Sequence, residues 1–85
     1  MGRIKRIKDI LKKNFNPTHL LLIDKSKEHI GHNKFDGLNE THIYLEIKSK
    51  IFYNQSILEV HKMINSILKN EYNNGLHALE IKVIK

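Results

Sequence analysis

Six histidines and no cysteine define the chemistry open to this 85-residue chain. Neutral imidazole is a ligand for borderline metals such as iron, copper and zinc, whereas disulfides, thiolate nucleophiles and cysteine-built zinc sites are excluded. His29 and His32 lie three residues apart in a polar stretch, Lys25 to Glu40, which also carries Gly31 and Gly37. At about sixteen residues this connection is long for a hairpin in a small domain, and loops of that length are usually functional or mobile. His42 and His77 each begin a segment of alternating polarity. Two to four imidazoles without a thiolate make an open site, one whose remaining ligands come from elsewhere. His19, at the start of an apolar run, and His61, on or beside an apolar helix face, read as structural. No Gly-rich phosphate loop, nucleophile elbow or HExxH helix occurs, so the chain reads as non-enzymatic.

The elements that must position these side chains follow from periodicity. Ile4, Ile7, Ile10, Leu11 and Phe15 recur at helical spacing from Arg3 to Phe15, and Asn14, Asn16 and Pro17 end the pattern. Arg3, Lys5, Arg6, Lys8, Lys12 and Lys13 give that helix a basic outer face. Thr18–Asp24 is a dense apolar run and reads as a strand. In Thr41–Lys50, Ile43, Leu45 and Ile47 share one face of a second strand, with His42, Tyr44, Glu46 and Lys48 on the other. Ser56 and Glu59 form a capping box ahead of a helix whose inner face carries Ile57, Val60, His61, Ile64, Ile67, Leu68 and Tyr72. Asn73-Asn74-Gly75 stops it, and His77–Ile84 alternates as a third strand, with His77, Leu79, Ile81 and Val83 in phase.

This order predicts an α+β two-layer sandwich, with helices on one face of a three-stranded mixed sheet. The first two strands pair antiparallel, and the third follows a helical crossover into parallel placement. His42 and His77 then start neighbouring strands at the edge where the long connection ends. The length fits a single domain over residues 1–85. With no apolar run near the ~20 residues of a membrane span and no signal-like N-terminus, the expected setting is soluble and cytoplasmic. A net charge of +6 is compatible with an acidic partner such as nucleic acid but selects none.

Ordered fragments then supply a resemblance covering essentially the whole chain. They are Asn16-Pro17, Asp24-Lys25-Ser26, His29-Ile30-Gly31-His32 and Glu40-Thr41-His42, followed by Phe52 with Ser56, His61 with Ile64-Asn65, and Gly75-Leu76-His77-Ala78-Leu79. Together they resemble the BolA-like proteins. The resemblance implies an α-β-β-α-α-β fold akin to the type II KH domain, with a short extra helical turn near Phe52–Gln55. It also implies pairing with a monothiol glutaredoxin and a shared 2Fe–2S cluster. Glutaredoxin and glutathione would supply the thiolates, and this chain the imidazoles. His77 matches the family's C-terminal ligand; His29, His42 and His32 are the candidates for the second. The isolated chain is then expected as a monomer without a cluster, and as a heterodimer with its partner.

Two departures stand out. The family's usual Phe-x-Gly-x-Ser is here Phe52-Tyr53-Asn54-Gln55-Ser56, where Asn54 tolerates positive φ better than most residues. The usual Arg-His-Arg is Val60-His61-Lys62, without the two guanidinium groups that make bidentate anion contacts. The resemblance also implies nucleic-acid-binding regulators among some bacterial members. For that alternative Lys62, Arg3 and Arg6 are the candidate contacts, although no Gly-x-x-Gly loop occurs.

Overall fold

The computed structural model describes residues 2–26 and 40–85. Helix α1 spans Arg3–Phe15 and buries Ile7, Leu11 and Phe15, the positions its spacing selects. Its last turn closes at Asn16, which adopts the left-handed conformation (φ 44°, ψ 57°) and donates its N–H to the carbonyl of Lys12. Pro17 follows and cannot continue the helix.

Strands β1 (His19–Asp24) and β2 (His42–Lys48) pair antiparallel, from His19 opposite Lys48 to Asp24 opposite Ile43. Strand β3 (Ala78–Val83) lies parallel to β2, with His42 opposite Ala78 and Ile47 opposite Val83. The sheet order is β1-β2-β3, so β2 is central. Ile43, Leu45 and Ile47 are buried, and Leu20, Leu22, Leu79, Ile81 and Val83 flank them on the same face. The helices contribute the opposing core layer through Ile7, Leu11, Val60, Ile64 and Leu68. Burying both sides of this interface is the main source of stability available to so short a chain. The expected two-layer α+β arrangement with a mixed sheet is present.

Four details differ from the sequence expectation. The short helical turn is a 3-10 helix at Lys50–Phe52, two residues earlier than expected. Ser49 fixes it there by accepting from the N–H of Ile51, while Phe52 is buried with its ring centroid 5.0 Å from that of Phe15. Asn54 has no positive φ; among described non-glycine residues that conformation falls at Asn16 and Glu40. The turn therefore survives the loss of glycine without straining Asn54. The helix expected as one element is two: α2 (Ile57–Ile67) and α3 (Lys69–Asn73), separated at Leu68 (φ −100°, ψ 11°). Ser56 and Glu59 do form the reciprocal capping box, at 2.9 and 3.0 Å. Ile57, which spacing places on the inner face, is instead 48% exposed, because the apolar stripe that enters the core starts at Val60. No helix among the described residues is long and apolar enough to cross a membrane.

Candidate functional site

Parallel pairing of β2 and β3 sets His42 opposite Ala78, and His77, expected to begin the third strand, lies one residue before it; this builds the site. The carbonyl of Thr41 accepts from the N–H groups of both His77 (2.8 Å) and Ala78 (3.1 Å). The rings of His42 and His77 consequently face each other with centroids 5.0 Å apart and planes inclined by 42°. The two are not equivalent. His42 is 7% exposed, and its Nδ1 lies 3.1 Å from Thr41 Oγ1, an interaction that orients the ring. His77, just before β3, is exposed. One imidazole is thus embedded and oriented, and the other is presented to solvent.

The long connection is rooted at the same edge. The Asp24 carboxylate accepts from the N–H of Ser26 (2.9 Å), the hydroxyl of Ser26 (2.6 Å) and the N–H of Glu40 (3.2 Å). The N–H of Lys25 donates to the carbonyl of His42 at 2.7 Å. Ser26 and Glu40 are thereby held together beside His42. His29 and His32 fall between them, outside the described residues. Among the described residues no group of three or more His, Asp or Glu side chains could hold a metal. The donor set fits a metal group that takes two nitrogen ligands here and the rest from a partner.

The remaining histidines stand apart from this edge. His19 is exposed and its Nε2 lies 3.0 Å from Glu46, which also accepts from the Tyr44 hydroxyl at 2.7 Å. That hydrogen bond, with Glu46, pushes the Tyr44 phenol up to about 12 and holds the Glu46 carboxyl below its ordinary range. His61 is half-buried in α2, in line with a structural role.

A second cluster, which periodicity alone does not reveal, braces the site. Glu71, 7% exposed in α3, accepts from Arg6 Nε (2.9 Å) and Nη2 (3.0 Å) and from Arg3 Nε (3.3 Å). The hydrogen bond from Arg6 leads in holding the Glu71 carboxyl below its usual range. Two of the three cations considered for nucleic acid are therefore paired with Glu71, Arg3 largely buried and Arg6 with 41% of its side chain exposed, while Lys62 is exposed on α2. The available signal was a carboxylate falling on the buried stripe of the α2–α3 segment, three residues after Leu68. Its partners are far away in sequence, so no local pattern names them.

A family model described as BolA-like protein matches residues 11–85. An uncharacterized Sinorhizobium protein encoded in a cobS 5′ region is 41% identical over 69 residues, covering 80% of this chain and 74% of its own. The chloroplastic protein BOLA1 of Arabidopsis thaliana is 35% identical over 82 residues, 94% of this chain but only 51% of that protein. This chain thus spans about half the length of that relative. Among solved structures, the BolA domain of Arabidopsis SufE1 superposes with a TM-score of 0.85 at 36% identity, covering 98% of this chain and 92% of that one.

Proposed function

The chain belongs to the BolA-like protein family, and from that premise we propose that it is a non-enzymatic partner of a monothiol glutaredoxin, sharing a 2Fe–2S cluster for cluster trafficking or iron-linked regulation. The observation that carries this reading is the His42–His77 pair, two imidazoles 5.0 Å apart at one sheet edge in a chain without sulfur ligands of its own. His77, exposed, is the first ligand. His42 is the second candidate among the described residues, and His29 and His32 belong to the connection rooted beside it. Glutaredoxin and glutathione supply the thiolates, and the cluster then belongs to the heterodimer. Imidazole ligation makes the complex labile to acid, since protonated His does not coordinate.

The test is anaerobic mixing with a monothiol glutaredoxin, glutathione, iron and sulfide, followed by size-exclusion chromatography at visible wavelengths. A coloured 1:1 heterodimer that requires glutathione is expected. Colour that stays entirely with glutaredoxin homodimers would contradict the proposal.

A further inference from the structure

Arg3 joins the two chain segments that lead into the paired imidazoles. Its Nη1 donates to the carbonyl of Glu40 at 2.7 Å, on the peptide that enters Thr41 and His42. Its Nη2 donates to the carbonyl of Asn74 at 2.7 Å, in the turn that enters His77. Its Nε reaches Glu71 Oε1 at 3.3 Å, and the side chain is only 14% exposed. One planar guanidinium therefore spans both approaches to the site, and the buried carboxylate fixes its orientation.

The surroundings are shaped to this group. Gly75 has φ +117°, a conformation that favours glycine, and a Cβ added there would come within 2.7 Å of Arg3 Nη2, so a side chain at this turn would strain the backbone and push the guanidinium aside. Glu40 is gripped at both ends, since its Oε1 accepts from the N–H of Ile4 at 2.8 Å while its carbonyl accepts from Arg3. That carboxylate serves the start of α1, where Gly2 offers no side-chain cap. Lysine cannot replace this arrangement: its single ammonium lacks the flat fork that reaches three separated acceptors.

We infer that Arg3 is a positioning residue for the His42–His77 pair, setting the distance between the two rings by tying Glu40 to Asn74. Its consequence for metal binding rests on the ligand role proposed above; its effect on the rings does not. An arginine that only fastened α1 to the fold would change stability and leave the ring pair as it was.

The experiment is NMR of the full chain with labelled histidines, comparing the native protein with Arg3→Lys, Arg3→Met and, as a control, Lys12→Met on the exposed face of α1. Two readouts are taken: the cross-relaxation between His42 and His77 ring protons, and the affinity for Co²⁺ from broadening of the ring signals. The native protein and Lys12→Met should show ring-to-ring cross-relaxation and equal affinity. In Arg3→Lys and Arg3→Met that cross-relaxation should weaken or disappear and Co²⁺ should bind about tenfold more weakly or worse, while the signals that link Leu45, Ile64 and Leu68 persist. Unchanged cross-relaxation in either folded variant overturns the positioning role, whatever Co²⁺ does. If the rings separate in the variants but the native chain binds no Co²⁺, positioning stands on the ring contacts alone, and the ligand reading is left to the glutaredoxin complex. If Arg3→Lys does not fold, Arg3→Met decides; if neither folds, Arg3 is a strut for the whole fold and the proposal fails.

Discussion

Glu71 and Tyr44 are two residues whose surroundings shift their titration and so tie stability to pH. Glu71 is held by Arg6 and Arg3, so its carboxyl titrates below the ordinary 4.5. A group with a depressed folded value stabilises the native state above its unfolded value and loses that contribution as pH falls through the folded one. Thermal unfolding should therefore shift to lower temperature as the solution is acidified below about pH 4.5. Glu71→Gln should flatten that part of the profile and cost about 1–2 kcal/mol at neutral pH, because it leaves the largely buried Arg3 donors facing a neutral amide while Arg6, 41% exposed, can turn to solvent. A profile unaltered by the substitution would deny Glu71 this role. Tyr44 runs the other way. Its hydrogen bond to Glu46 raises the phenol to about 12, so its stabilising contribution is present below the ordinary 10.0 and fades as pH climbs toward 12. Alkaline titration by phenolate absorbance should show one tyrosine brought back toward 10.0 in Glu46→Gln. Neither residue is legible as a site in the sequence: Tyr44 and Glu46 read simply as the outer face of a strand, and Glu71 needs two partners from the far end of the chain.

At the scale of elements, most of the fold can be read from spacing. The alternation in β2 separates Ile43, Leu45 and Ile47 from the outward positions, and the structure buries all three. Because β2 is central and packed against the helices, Leu45→Ala should lower stability by about 3 kcal/mol in denaturant titration. A loss well under 1 kcal/mol would mean that this face is not the core. The parallel placement of β3 follows from the helical crossover, and with it the meeting of His42 and His77. What spacing misses has a physical cause. No glycine or proline marks the break at Leu68, where the backbone bends and α3 carries Glu71 toward Arg3 and Arg6. Ile57 has the right residue type and period for the inner face, yet it sits in the first turn of α2, ahead of the point where the helix meets the sheet. His42 falls in the polar phase of its strand, yet it is buried and its ring meets that of His77 from the neighbouring chain segment, a tertiary contact that alternation within one strand does not carry.

For the whole molecule, the charge of +6 carries less information than the count of histidines against cysteines. With the Arg3 and Arg6 forks already engaged by Glu71, the cations left to meet a phosphate among the described residues are chiefly lysines, without the bidentate geometry of arginine. Binding to duplex DNA should accordingly be independent of sequence and vanish by about 0.2 M salt. Retained, sequence-selective binding at that ionic strength would restore the regulator reading. The proposed role makes this chain the imidazole half of a shared cluster site, with His77 as its first ligand. Visible circular dichroism of the anaerobically assembled glutaredoxin complex tests that role most directly, comparing the native chain with His77→Ala. The native complex should give a cluster spectrum distinct from that of glutaredoxin alone, and His77→Ala should abolish that distinct spectrum while the variant stays folded. A His77→Ala complex with an unchanged spectrum would contradict it.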